Sequence, residues 1–276
     1  NLTVTGTYTV DTTVTASNNL TLTTGTYTAN ANTTTVGGTL NINGGTGAFA
    51  AATTLDCNGS VTLSAGALTA PTPSATTTFT VAGDWTISGT GAFTCGTGTV
   101  KFDGAAVQTI RSNSATYNNI TVTNAGAAGT IFREAFTAAS FTDTTASTKL
   151  YFKEGLTYTI TGAAGSLDIH GQAAGTRINI DSEDSATQFT LAFTGAAQQV
   201  NFVNLDQCIA GTNAGTAYNS VDGTHNTNWT FSTLAITTPA AGSFINQRAT
   251  IIGTATPGNN VVIKGTVGAV AFQQVA

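Results

Sequence analysis

Charge is the scarcest property of this sequence. Its 276 residues include 8 Lys and Arg and 13 Asp and Glu, 8% of the chain, against about a quarter in ordinary soluble domains. The net charge of -5, without any cluster of Lys or Arg, argues against a nucleic-acid partner. Apolar runs stay well below the ~18 residues that a membrane span requires. We therefore expect neither nucleic-acid binding nor a membrane span.

Methionine is absent altogether. The chain also opens within a strand-like pattern at Asn1, Leu2 and Thr3, with no charged and then apolar leader segment. We therefore expect the numbering to begin inside a longer precursor.

A short strand pattern recurs along the first hundred residues. Each copy alternates apolar residues with Thr, Asn or Ser, ends in glycine and is too short to enclose a core by itself. The copies begin at Leu2, Leu20, Leu40, Val61 and Trp85, which are 18, 20, 21 and 24 residues apart. Such a period is typical of stacked repeat architectures.

The fold class that this period predicts is all-β, a right-handed parallel β-helix with turns ~4.8 Å apart. No stretch of the sequence has a helical apolar period. We expect the following side chains to point into the coil and stack in columns: Leu20, Leu22, Leu40, Ile42, Val61, Leu63 and Ile87. Bends are predicted at glycines such as Gly25 and Gly44–Gly45, and a bulging loop at Pro71 and Pro73.

A second block of motifs carries a family resemblance. Val100-Lys-Phe-Asp-Gly104 is followed by Gln108-Thr-Ile110 and by Tyr117-Asn-Asn-Ile-Thr-Val-Thr-Asn124, and the block closes with Asn226-Thr-Asn-Trp-Thr-Phe231. This series resembles the pectate-lyase-like β-helix segments of very large secreted bacterial surface proteins. The resemblance implies one β-helical domain over residues 1–231, with strands continuing through Phe136–Phe141, Leu150–Phe152, Leu156–Ile160, Leu167–Ile169, Ile178–Ile180, Phe189–Phe193 and Val200–Leu205.

Residues 232–276 form the second predicted domain. Ile236 to Ser243, Ala249 to Gly258 and Val261 to Ile263 resemble the first half of a bacterial immunoglobulin-like repeat. A complete sandwich of this type takes about 100 residues and seven strands. We therefore expect a partial immunoglobulin-like β-sandwich, completed either by further chain or by strands of a neighbouring copy.

The sequence offers one acidic cluster as a candidate site, Asp181, Glu183 and Asp184, with Arg177 one strand earlier. A Ca²⁺ site is conceivable there, but we favour a solvated loop because one short segment rarely supplies six oxygen ligands. Two further pairs, Asp103 with Arg111 and Arg133 with Glu134, are interpreted as surface charges.

Histidine and cysteine offer no clearer chemistry. His170 and His225 lack ligand-type neighbours, although Asp168 shares a strand face with His170, and we interpret both as hydrogen-bonded or solvent-facing. Cys57, Cys95 and Cys208 have no metal-type spacing. They are predicted to be small buried apolar side chains and not a disulfide pair.

Thr-x-Thr runs such as Thr7–Thr9 and Thr26–Thr28 resemble the flat threonine arrays of ice-binding β-helices. The third and fourth repeats offer Gly47-Ala-Phe-Ala50 and Ala67-Leu-Thr69, so we expect the array to fail after two turns. Ice binding therefore ranks third among the functions considered, since threonine is also a common exposed strand residue.

The function predicted first is a non-enzymatic extracellular structural protein, a subunit of a filament, stalk or bacterial cell-surface layer. No catalytic residue, metal site or cofactor is predicted. The alternative is a carbohydrate-binding or carbohydrate-cleaving β-helix, which a groove lined by aromatic and acidic side chains would favour. The predicted partners are further copies of the chain, joined head to tail through uncapped coil ends, and a surface polysaccharide.

Overall fold

A computed structural model describes residues 1–72, 78–195 and 198–232, together with four strands beyond residue 234. The described chain is all-β, without a helix, and forms a parallel β-solenoid of about ten turns. Two 14-stranded sheets run along the solenoid. The first sheet begins with the N-terminal strand of the chain, and the second begins with the third strand.

Thirteen strands build the first five turns. They are β1 (Leu2–Val4), β2 (Tyr8–Val10), β3 (Val14–Ala16), β4 (Leu20–Leu22), β5 (Thr26–Ala29), β6 (Thr33–Val36), β7 (Leu40–Ala48), β8 (Thr54–Cys57), β9 (Val61–Thr69), β10 (Thr78–Val81), β11 (Trp85–Ile87), β12 (Ala92–Thr94) and β13 (Thr99–Phe102).

Fifteen strands continue the solenoid. They are β14 (Gln108–Arg111), β15 (Thr116–Val122), β16 (Thr130–Phe132), β17 (Thr137–Asp143), β18 (Lys149–Phe152), β19 (Thr157–Ile160), β20 (Leu167–His170), β21 (Ile178–Ser182), β22 (Phe189–Phe193), β23 (Gln199–Asn201), β24 (Val203–Leu205), β25 (Cys208–Gly211), β26 (Gly215–Tyr218), β27 (Val221–Asp222) and β28 (Trp229–Ser232).

The predicted repeat register is confirmed residue by residue. Parallel pairing joins Leu2 to Leu20, Leu20 to Leu40, Leu40 to Val61 and Val61 to Trp85. All seven side chains predicted to point inward are at most 4% exposed. The alternation of apolar and polar residues is therefore an alternation between core and surface.

The core changes from aliphatic to aromatic along the axis. An unbroken chain of ring contacts, with neighbouring centroids 4.7 to 6.1 Å apart, runs from the fourth turn to the ninth. Its rings are those of Phe79, Trp85, Phe93, Tyr117, Phe136, Phe132, Phe152 and Phe189. Tilted and offset aromatic pairs add to the free energy gained by burial.

A third strand lies on the narrow face of the turn, and its sheet membership changes along the chain. In the early turns β2, β5 and β12 belong to the first sheet, where β7 and β9 continue onto this face. In the later turns β19, β22 and β25 belong to the second sheet, where β15 and β17 reach the same face.

Glycine is required where the corners of successive turns touch. Gly25 (φ 70°) lies over Gly6, so that a Cβ atom would come within 2.2 Å of the Gly6 carbonyl oxygen. Gly66 (φ 81°) lies over Gly45 with a corresponding distance of 2.1 Å. Both the left-handed backbone and the close approach exclude a larger residue.

One strand prediction needs correction. Val200–Leu205 is not one strand: Phe202 has φ 49°, which turns the chain from β23 in the second sheet to β24 in the first. The predicted bend at Gly44–Gly45 is a break in the pairing register within β7, between Ile42 and Thr46. Pro71 is buried outside the strands, whereas Pro73 lies outside the described residues.

Beyond the solenoid, antiparallel pairing replaces parallel pairing. β29 (Ala235–Thr238) pairs with β30 (Ile252–Thr254), and β31 (Val262–Val267) pairs with β32 (Val270–Val275). The division of the chain at residue 232 stays a prediction. Within the described residues, no helix has the length and hydropathy to cross a membrane.

Candidate functional site

The second sheet presents two columns of hydroxyl and amide side chains to solvent, which we call the hydroxyl face. Register places the first column at Thr33, Thr54, Thr78, Thr99, Asn119 and Ser140. The second column contains Thr15, Thr35, Asp56, Thr80, Lys101, Thr121 and Thr142. The columns are two residues apart on each strand and therefore lie on the same side of the sheet.

Hydrogen bonds join turns within these columns. In the first column, Ser140 Oγ donates to Asn119 Oδ1 at 2.7 Å, and Asn119 Nδ2 donates to Thr99 Oγ1 at 3.5 Å. In the second, Thr80 Oγ1 donates to Asp56 Oδ1 at 2.6 Å, and Lys101 lies 3.5 Å from Asp103. Asp56 and Lys101 are the two charged members of the face.

The threonine array that sequence reasoning followed, Thr7–Thr9 and Thr26–Thr28, is interrupted after two turns as expected, because Thr28 pairs with Ala48. The hydroxyl face is a different array, which sequence reasoning did not consider. The longer array starts at Thr13–Thr15 and recurs at Thr33–Thr35 with the same period as the leading residues. That period is the signal that would have found the array.

A shallow groove of about 210 Å³ lies on the first sheet near the C-terminal end of the solenoid. Tyr151, Asp181 and Asp206 line it in successive turns, beside Asn179 and Asn204. Asn204 Nδ2 donates to Asn179 Oδ1 at 2.6 Å. The groove therefore combines an aromatic side with amides and carboxylates, the lining that the carbohydrate alternative requires.

The predicted acidic cluster is divided by its own hydrogen bonds. Asp181 accepts from the Ser182 amide and the Ser185 hydroxyl, both at 2.7 Å, and Glu183 turns away to Arg133. The Ala186 and Thr187 amides lower the pKa of Asp184 to about 2, which keeps this carboxylate ionised. Among the described residues, no group of three or more His, Cys, Asp or Glu has the arrangement of a metal site.

Arg177, expected beside the acidic cluster, lies elsewhere. Its guanidinium donates to the carbonyl oxygens of Ala174, at 2.7 Å, and Asn219, at 3.2 Å. This side chain therefore fastens a loop of one turn to the neighbouring turn.

Both histidines are hydrogen-bonded to aspartate. His170 Nδ1 lies 2.6 Å from Asp168 Oδ1, on the strand face that the sequence predicted. His225 Nδ1 lies 3.0 Å from Asp206 Oδ1, at the edge of the groove. The second pair was missed because its members are 19 residues apart and meet only through the stacking of turns.

The four residues interpreted as surface charges, Asp103, Arg111, Arg133 and Glu134, are all partly exposed. Arg133 pairs with Glu183, two turns away, through a 2.8 Å hydrogen bond from Nε, while Glu134 accepts from the Asn113 amide. Asp103 pairs with Lys101 on its own strand and not with Arg111. Arg133 and Glu134 lie beyond the end of β16, and each finds its partner in another turn of the solenoid.

The cysteine prediction is confirmed in part. All three cysteines are free, and Cys57 and Cys208 are buried, but Cys95 is half-buried. Burial raises the pKa of the Cys208 thiol to about 12, which keeps it protonated and unreactive.

Asp143 is a buried carboxyl group that sequence reasoning missed. Its Oδ1 accepts from the Thr145 amide at 3.0 Å and its Oδ2 from the Thr148 hydroxyl at 2.6 Å. Burial raises the pKa of Asp143 to about 6, against the opposing effect of these hydrogen bonds and of His170. The signal was present: Asp143 is two residues after inward-pointing Phe141 and therefore occupies a core position.

Neither a protein-family model, nor a curated protein, nor a solved structure matches this chain. Its fold and its candidate sites are therefore inferred from its own residues.

Proposed function

We propose that the chain is a non-enzymatic extracellular structural protein, a subunit of a filament, stalk or bacterial cell-surface layer. The observation that carries this proposal is the solenoid itself, a rod of about ten turns with a continuous core. At ~4.8 Å per turn, its length is about 50 Å. The antiparallel pairs after residue 234 support an immunoglobulin-like module in this part of the chain. For the solenoid we propose a right-handed coil, because connections between parallel strands of one sheet are almost always right-handed.

Assembly of copies head to tail belongs to the same proposal. Successive turns of the solenoid are joined by parallel strand pairing along both sheets. The same kind of pairing can join one copy of the solenoid to the next. Stacking in one direction does not close and would produce a filament.

Light scattering and electron microscopy on the chain of 276 residues test this assembly. We expect filaments that grow with concentration, that are lost in Tyr8→Lys and that persist in the matched control Tyr151→Lys on the side of the rod. A monomer at high concentration, or equal loss in both variants, would overturn head-to-tail assembly.

A second candidate, binding of a surface polysaccharide, is favoured by the groove at Tyr151. An aromatic ring beside amides and carboxylates suits a sugar ring and its hydroxyl groups. Affinity electrophoresis in gels containing neutral or acidic polysaccharides is expected to show retardation that Tyr151→Ala abolishes and Tyr8→Ala preserves. If cleavage products also accumulated and disappeared in Asp206→Asn, the protein would be an enzyme and the first proposal would be wrong.

A further inference from the structure

The hydroxyl face forms a two-dimensional lattice. Neighbouring turns of a parallel sheet are ~4.8 Å apart, and residues two apart on one strand are separated by about 6.6 Å. Nine of its thirteen members are threonine, over seven successive turns. The lattice therefore has one repeat along the axis of the solenoid and a longer repeat across it.

Crystalline water has repeats of the same size. In ice, water molecules are joined by tetrahedral hydrogen bonds of about 2.75 Å, which places second-neighbour oxygen atoms about 4.5 Å apart. The crystal repeats along its long axis every eight thirds of the hydrogen-bond length, which is about 7.3 Å. Both repeats agree with those of the hydroxyl face to within about a tenth. The face can therefore hold water molecules in an arrangement close to that of ice.

The side chains are suited to holding an ordered layer. Threonine is stiff about χ1 because its Cβ is branched, so that its hydroxyl and methyl groups occupy fixed positions along the column. Each hydroxyl can donate one hydrogen bond and accept two. The bonds from Ser140 to Asn119 and from Asn119 to Thr99 further restrict the first column.

The composition of the face argues against other partners. None of its thirteen members is aromatic, so a sugar ring would find no surface on which to stack, in contrast to the groove at Tyr151. Its only charges, Asp56 and Lys101, have opposite signs and engage Thr80 and Asp103. A charged macromolecule would therefore find no electrostatic complement.

We propose that the hydroxyl face adsorbs to ice by ordering water on its threonine columns. This activity is independent of the proposed structural function, since it requires the side of the rod and not its ends. Loss of filaments would leave it intact, and loss of ice binding would leave the rod intact.

The experiment measures ice-recrystallisation inhibition and thermal hysteresis with the whole chain. Thr54→Lys and Thr121→Lys each place a long cation in the middle of the face and are expected to abolish most of the activity. Thr62→Lys is the matched control: Thr62 is also half-buried and outward, but it lies in the first sheet between Asn41 and Thr86. Circular dichroism and thermal melting establish that each variant is folded.

Restoration of the lattice sharpens the test. The double variant Asp56→Thr and Lys101→Thr completes the second column and is expected to raise the activity above that of the parent. No effect of the parent on ice growth would overturn the proposal. So would full activity in folded Thr54→Lys and Thr121→Lys, or the same loss in Thr62→Lys.

Discussion

Residues 1–100 and residues 101–232 build the same kind of turn from different surface chemistry. The first hundred residues contain no Lys or Arg and only three acidic residues, whereas all eight Lys and Arg of the chain follow residue 100. On the first sheet, the neutral column Thr3, Thr21, Asn41, Thr62 and Thr86 gives way to Arg111 in the next turn. The two main sheets continue across this boundary.

Separation of core from surface explains this tolerance. Most inward positions are apolar in both parts, aliphatic at Leu20, Leu40 and Val61 and aromatic at Phe132 and Phe152. Outward positions contribute little to stability, because substitutions at exposed strand sites usually change it by less than about 0.5 kcal/mol. The same scaffold can therefore present a neutral hydroxyl lattice at one end and a groove with ionisable groups at the other.

The largest effect is expected from a charge placed inside the neutral part. Leu40 is fully buried, and the first hundred residues offer no cation to pair with an introduced carboxylate. Leu40→Asp should therefore lower the free energy of unfolding by about 4 kcal/mol or more. Urea denaturation measures this, with Asn41→Asp, outward on the same strand, as a control expected to stay within about 0.5 kcal/mol. Equal stability of the two variants would contradict the repeat register.

An intermediate effect is expected from Asp143 in the charged part. Its folded pKa of about 6 exceeds the ordinary value of 3.8, so the folded chain holds this proton more tightly than the unfolded chain. The resulting stability is complete below about pH 4 and is lost as pH rises through about 6, a change of about 3 kcal/mol.

Unfolding measured from pH 4 to 7 tests this titration. Asp143→Asn should remove the fall in stability, whereas Asp56→Asn, outward in the neutral part, should leave it in place. A slope that persists in Asp143→Asn would assign the titration to another group.

The smallest effect is expected from the pair of Arg133 and Glu183. Their side chains are 35% and 25% exposed, so the coupling energy should be about 0.5 kcal/mol and should shrink as salt screens it. A double-mutant cycle with Arg133→Met and Glu183→Gln, run at low and high salt, measures it. A coupling of several kcal/mol would show that surface charge stabilises the C-terminal part in a way that the neutral part lacks.

The early turns could be predicted from sequence because their spacing is nearly constant and their leading residues are similar. Later leading positions are harder to find: from Leu150 to Ile180 the repeat takes 30 residues, since separate loops flank β20. Phe202 turns the chain within the segment Val200–Leu205 through a left-handed backbone conformation, which is not typical of phenylalanine. The boundary between strands therefore required coordinates.

The candidate sites were less predictable than the fold. Threonine occurs in many strands, so its presence alone does not reveal a column. Only the pairing register shows that Thr33 and Thr54 are stacked in neighbouring turns. The groove joins Tyr151, Asp181 and Asp206, which are separated by 30 and 25 residues and meet only through stacking. By contrast, the pair of Asp168 and His170 lies on one strand and could be identified directly.

The transfer of the third strand between sheets has a mechanical consequence. Most neighbouring turns are joined by hydrogen-bonded ladders on three faces, but among the described strands β12 pairs only with the preceding turn. Between the fifth and sixth turns, Phe93 instead packs on Tyr117 with ring centroids 5.4 Å apart. This joint therefore has two ladders and an aromatic contact, one ladder fewer than the joint before it. The last described joint, at β27 and β28, is likewise held by two ladders and one isolated bridge. In single-molecule pulling, the first yield is therefore expected at one of these two joints.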